Sequence, residues 1–80
     1  NVPEINLYME YSDRECLENV LQLLRQNRLS ISNMEITRSA GSEEHNACAI
    51  FALHLKKGCR TEELIQKIQR IEGVVSVEEI

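Results

Sequence analysis

The chain lacks any apolar run of the ~18 residues that a bilayer-crossing helix requires, so no stretch of it reads as a membrane span. It has no excess of positive charge. Nine Lys and Arg stand against 13 Asp and Glu, a net charge of −4, which argues against nucleic-acid binding, where a basic face is needed. Its three cysteines, Cys16, Cys48 and Cys59, form no CxxC pair. An odd, scattered set points to free thiols in a reducing compartment and away from a disulfide framework. No Ser/His/Asp or Cys/His spacing suggests a nucleophile, and no Gly-rich loop could cradle a phosphate. No residue is assigned a catalytic role, and the chain is read as non-enzymatic. No secretory leader is visible. A start at Asn1, with no Met, is what a segment processed or excised from a longer protein would show.

What is present is enough for one small folded domain over residues 1–80. The apolar fraction of 42% and charged fraction of 28% are those of a globular chain and not a disordered one. A chain of this size should be stable by roughly 4–12 kcal/mol. Its organising stretch is NACAIFALHL, Asn46–Leu55, which is apolar on both alternate faces. Ala47, Ala49, Phe51, Leu53 and Leu55 share one parity; Cys48, Ile50 and Ala52 share the other. A strand apolar on both sides has something packed on both sides.

The rest of the chain reads around it. Ile5, Leu7, Met9 and Tyr11 alternate with polar residues and predict a half-buried strand over Glu4–Tyr11. Ser12 or Asp13 can cap a following helix, and Ser12 with Glu15 has capping-box spacing. That helix runs to Gln26, with Leu17, Val20, Leu21 and Leu24 as its apolar stripe and Asn27 as a left-handed cap. A second strand runs from Leu29 to Arg38. Its parity breaks between Ile31 and Met34, which predicts a bulge near Ser32-Asn33 or a late strand start. Ser39–His45 reads as a polar hairpin loop. Beyond the central strand, Thr61 caps a second helix over Thr61–Ile71, with Leu64, Ile65, Ile68 and Ile71 as its stripe. Gly73 follows, and Val74–Ile80 is the last strand.

The order β-α-β-β-α-β predicts an α+β ferredoxin-like sandwich: a four-stranded antiparallel sheet, strand order 2-3-1-4, with both helices on one face. That order puts the doubly apolar third strand in the middle of the sheet.

These residues resemble the ACT-domain class of regulatory modules, most recognisably in Glu63-Leu64-Ile65, Ile68 and Ile71-Glu72-Gly73-Val74-Val75-Ser76-Val77. Within that class the chain is similar to the C-terminal cytosolic domain of MgtC/SapB-family membrane proteins. Asn6-Leu7-Tyr8-Met9-Glu10-Tyr11, the first helix, Ile31-x-x-Met34-Glu35-Ile36 and Gly73-Val74 carry that similarity. The resemblance implies a non-catalytic appendage on the cytoplasmic side of a cell membrane, tied to magnesium-limited growth, without implying that this part transports Mg²⁺. One departure stands out. Amino-acid-binding ACT domains carry Asp-Arg-Pro-Gly after the first strand, whereas this chain has Asp13-Arg14-Glu15-Cys16. Glu15 and Cys16 put bulk and negative charge where a ligand carboxylate would approach a helix N-terminus.

The open face of the sheet is the best candidate site. Tyr8 and Glu10 on the first strand, with Cys48, Ile50, Ala52 and His54 on the third, should face away from the helices. Tyr8 beside Ile50 would form an uncovered apolar patch, and a homodimer or protein partner would seat there or along the edge of the second strand. The alternative is a small-ligand sensor for an amino acid or nucleotide, using the loop Ser12, Asp13, Arg14 and Glu15. No cofactor is expected. No metal site is expected either: His45 and Cys48 point to opposite faces of a strand, and Cys48 and His54 are too far apart to share an ion. The acidic pairs Glu43-Glu44, Glu62-Glu63 and Glu78-Glu79 are not gathered by any spacing. Cys16 near a helix start could have a lowered thiol pKa, but Glu15 beside it opposes that.

Overall fold

The structure is a computed structural model that describes residues 3–39 and 45–80. Its elements are β1 (Glu4–Tyr11), α1 (Arg14–Gln26), β2 (Ser30–Arg38), β3 (Ala47–His54), α2 (Thr61–Gln69) and β4 (Val74–Glu79). The four strands form one antiparallel sheet in the order β2-β3-β1-β4. This is the ferredoxin-like plan that the element order predicts.

Period-two patterning places the core. Ile5, Leu7, Met9 and Tyr11 pair with Leu53, Phe51, Ala49 and Ala47, so both central strands point the same row of residues inward. That row joins Cys16, Leu17, Val20 and Leu24 of α1 and Leu64 and Ile68 of α2 in one buried cluster. Both helices therefore lie on one face. Burying each large member of the cluster contributes ~1.5–3 kcal/mol.

The caps differ from the reading above in instructive ways. Asp13, not Ser12, caps α1: its Oδ1 accepts the Cys16 N–H at 2.9 Å. The residue three beyond Asp13 is Cys16, so the Ser12–Glu15 capping box does not form. At the other end Asn27 has φ −91°, and the left-handed residue is Arg28, at φ 58°. Leu29 N–H reaches Leu24 O and Arg28 N–H reaches Arg25 O, both at 3.0 Å. This is the paired bonding of a Schellman ending, here without glycine at its left-handed position. Helix α2 begins at Thr61 after Arg60, which offers no side-chain cap, and stops at Gln69, two residues short of Ile71. Ile71 still packs against the core.

The bulge in β2 is present. Ile31 pairs with Leu53 and Asn33 with Ala52, leaving Ser32 as the extra residue. Its hydroxyl donates to Ala52 O at 3.1 Å. A second irregularity leaves Thr37 unpaired between Ile36 and Arg38. Met34 and Ile36 share the helix side with their partners Phe51 and Ala49, yet they remain 38% and 46% exposed. The helices cover the central strands and leave this edge bare. The hairpin loop over Ser39–His45 falls largely outside the described residues.

Candidate functional site

The register sets out the open face row by row. Tyr8 lies opposite Ile50 on β3 and Glu78 on β4, and Ile50 lies opposite Glu35 on β2. One row away, Glu10 faces Cys48 and Ser76, and Cys48 faces Arg38. In the other direction Asn6 faces Ala52, and Ala52 faces Asn33. The Ile80 N–H donates to Asn6 O at 2.9 Å, which carries this row to the β4 edge. The six residues expected on this face, Tyr8, Glu10, Cys48, Ile50, Ala52 and His54, are thus together on it. Tyr8, Ile50 and Ala52 are half-buried, and Ile80 is 61% exposed.

Cys48 is on this face but is not open to solvent, at 4% exposure. Arg38 lies over it, with Nη2 3.4 Å from its Sγ and Nε donating to Asn46 O at 2.6 Å. Asn46 Nδ2 in turn donates to Glu10 Oε2 at 2.8 Å. A polar chain Arg38–Asn46–Glu10 therefore rims the upper end of the face. The Tyr8 phenol is pushed above its ordinary pKa by its hydrogen bond with Cys48, with burial second. At the lower end His54 Nε2 sits 3.2 Å from Glu4 Oε2, and Ser32 Oγ lies 3.4 Å from the same oxygen. The face is thus a narrow apolar centre, Tyr8–Ile50–Ala52, bounded by polar residues whose charged members are mostly acidic.

Arg38 was not expected here, and parity could not have found it. Glu35 and Arg38 differ by three, which places them on opposite faces of a regular strand. The irregularity at Thr37 returns Arg38 to the open face.

The loop after β1 builds a second, smaller feature. A cavity of about 300 Å³ is lined by Ser12, Asp13, Glu15, Cys16, Asn19, Glu72 and Gly73. Arg14 is not part of it; it borders a smaller depression, of about 70 Å³, with Tyr11, Leu17, Ile36 and Ser39. Ser12 N–H donates to Gly73 O at 2.8 Å, tying the loop to the start of β4. Cys16 is 2% exposed, and its thiol is pushed up by burial and then by the Asp13 charge. A raised pKa is the opposite of what a reactive thiol needs. Three carboxylates around the cavity oppose an anionic ligand.

No group of three or more His, Cys, Asp or Glu is close enough to hold a metal ion among the described residues. His45 is exposed, and Cys48 and His54 stand near opposite ends of β3. Glu62 and Glu63 occupy the first turn of α2, where they favour the helix dipole. Glu43 and Glu44 lie outside the described residues.

Comparison with solved structures places this geometry. The ACT domain from GTP pyrophosphokinase of Chlorobium tepidum superposes with a TM-score of 0.78 at 11% identity, over 100% of both chains. The fold is that of an ACT domain. The C-terminal domain of the MgtC protein from Mycobacterium tuberculosis also matches, with a TM-score of 0.72 at 14% identity, over 99% of this chain and 86% of that one. No protein-family model and no curated protein sequence matches the chain. Within the ACT fold the Asp13–Cys16 turn runs from β1 into α1, with Cys16 turned into the core. No helix of the described residues is long and apolar enough to cross a membrane.

Proposed function

We propose that this chain is a non-enzymatic regulatory domain that works by association through the open face of its sheet, with a second copy of itself as the first partner. The observation that carries the reading is the uncovered Tyr8–Ile50–Ala52 centre. One face of the sheet is sealed by two helices, whereas the other presents apolar side chains of its two central strands. A polar rim around an apolar centre is the make-up of a protein interface. The similarity to the C-terminal domain of an MgtC protein supports a further part of the proposal: the domain is the cytosolic tail of an MgtC/SapB-like membrane protein.

Sedimentation velocity across a range of protein concentrations tests the association. Tyr8→Glu and Ile50→Glu should each leave the circular dichroism spectrum intact and weaken self-association at least tenfold. A chain that stays monomeric at millimolar concentration, or variants that associate as the parent does, would refute the sheet-face reading. An amino-acid sensor at the β1–α1 loop is the weaker reading. Asp13, Glu15 and Glu72 line the cavity where a ligand carboxylate would have to sit.

A further inference from the structure

Net charge conceals an uneven distribution. At the end of the sheet where β1 begins and β3 finishes, a cavity of about 950 Å³ is lined by Pro3, Arg28, Ser30, His54, Leu55, Lys56 and Lys57. A second cavity of about 320 Å³ shares Lys56 and Lys57 and adds Arg60 and Lys67. Five of the chain's nine Lys and Arg residues therefore line two adjoining cavities. The only carboxylate in either lining, among the described residues, is Glu63, which stands 3.9 Å from Arg60. Arg28, Lys56 and Lys57 have no ion-pair partner among the described residues.

The backbone fixes where these three side chains leave the chain, and all three are exposed. Arg28 occupies the left-handed position of the Schellman ending, fixed by the bonds on either side of it. Lys56 and Lys57 sit in a turn closed by Cys59 N–H to Lys56 O at 2.9 Å, with Gly58 at φ +86°. Leu55 N–H donates to Pro3 O at 2.9 Å, which fastens the apolar wall between them. His54 Nδ1 is enclosed and has no hydrogen-bond partner.

From this placement we propose that the larger cavity binds a phosphate-bearing anion with an apolar or aromatic body. The three cations would take the phosphates, and the Pro3–Leu55 wall would take the body. Both a soluble nucleotide and an anionic phospholipid have that chemistry. The site meets the open sheet face at His54, but Tyr8 and Ile50 lie outside its lining, so its failure would leave their association untouched.

Calorimetric titration of the 80-residue chain with ADP and with pyrophosphate, and co-sedimentation with phosphatidylglycerol or phosphatidylcholine vesicles, test it. The expected result is binding of ADP at least tenfold tighter than of pyrophosphate, or binding to the anionic vesicles and not the neutral ones. The first outcome makes the ligand soluble; the second makes it a lipid. The double variant Lys56→Glu/Lys57→Glu should lose at least tenfold in affinity with an unchanged melting temperature. Arg70→Glu, which makes a charge reversal outside both linings, should lose less than twofold. The proposal is overturned by binding to neither probe at millimolar concentration. It is equally overturned by pyrophosphate binding as well as ADP without vesicle binding, or by equal losses in the two charge-reversal variants.

Discussion

Gly73 is the position where a single added methyl should cost most. Its φ is +98°, a region that L side chains avoid at a cost of ~1–2 kcal/mol. A Cβ built there would stand 2.5 Å from Ser12 Oγ, 2.9 Å from Cys16 Cβ and 3.1 Å from Cys16 Sγ. Ser12 Oγ can turn away about χ1, but its backbone is held by its N–H to Gly73 O, and the Cys16 Cβ and Sγ are packed into the core and cannot withdraw easily. Overpacking of this kind adds ~1–3 kcal/mol. Gly73→Ala should therefore destabilise by about 2–5 kcal/mol, a large part of the roughly 4–12 kcal/mol available. Gly58 is the matched control: its φ is +86°, but nothing lies within 4 Å of its added Cβ. Gly58→Ala should bear the backbone cost alone, and the unfolded-state effect of replacing glycine cancels between the two. Urea unfolding of both variants measures the difference, expected at ~1–3 kcal/mol. Adding Ser12→Ala to Gly73→Ala should recover part of the loss, because the nearest clashing atom is gone. If the two glycine variants unfold within ~0.5 kcal/mol of each other, the close-approach argument fails.

Two further outcomes follow from the same geometry. Arg28→Gly should raise the melting temperature by several degrees, since a residue with a Cβ now occupies the left-handed position of a Schellman ending at φ 58°; a differential scan that shows a lower melting temperature would contradict it. Cys16, Tyr11 and Tyr8 all have pKa values raised in the fold, Cys16 and Tyr11 chiefly by burial and Tyr8 chiefly by its hydrogen bond with Cys48. The native state then keeps protons that the unfolded chain releases. Stability should be flat near neutrality and fall as pH rises through 9.0 and then 10.0, the ordinary thiol and phenol values. A urea midpoint at pH 10 no lower than at pH 7 would oppose this.

The fold was legible because each element carries its own period. The doubly apolar Asn46–Leu55 stretch, the Leu17–Leu24 stripe and the Ser32 parity break all correspond to what the structure contains. Less legible were features set by one atom's choice of partner. Ser12 and Asp13 are both competent caps, and in the structure Asp13 takes the position, with extended backbone and its side chain accepting the Cys16 N–H. Asn27 tolerates the left-handed region better than arginine does, yet the bonding pattern places Arg28 there. The open face was half legible. Parity located its two central strands, while its rim depends on the register shift at Thr37 and on which side chain lies over Cys48. The basic cavity went unread in the sequence, although the hairpin that builds it was expected. Arg28 and Lys56-Lys57 flank the β2–β3 hairpin, and its antiparallel pairing, Ser30 opposite His54, brings them together at one end of the sheet.

That separation of charge bears on how two copies could meet. The strands of eight residues span ~27 Å at ~3.4 Å per residue. The Debye length at 0.1 M salt is ~10 Å, so the two ends of the sheet act as independent charges. One end gathers Arg28, Lys56, Lys57, Arg60 and Lys67 around its cavities, with Glu4 and Glu63 beside them; the other gathers Glu10, Asp13, Glu15 and Glu72, with Arg14 and Arg38 beside them. Two copies stacked on their open faces with strands running the same way would set like ends together. Stacked with strands opposed, the basic end of each meets the acidic end of the other; a two-fold axis can relate the copies in either arrangement, so symmetry alone does not choose between them. The apolar centre supplies area without direction, whereas the charged ends choose between the two arrangements. Association through the centre alone should hold or strengthen as salt rises. Association in the opposed arrangement should weaken between 50 and 500 mM NaCl, most steeply where the ends carry full charge. A dimer constant that does not fall across that range would remove the ends from the interface and leave Tyr8, Ile50 and Ala52 to set it by themselves.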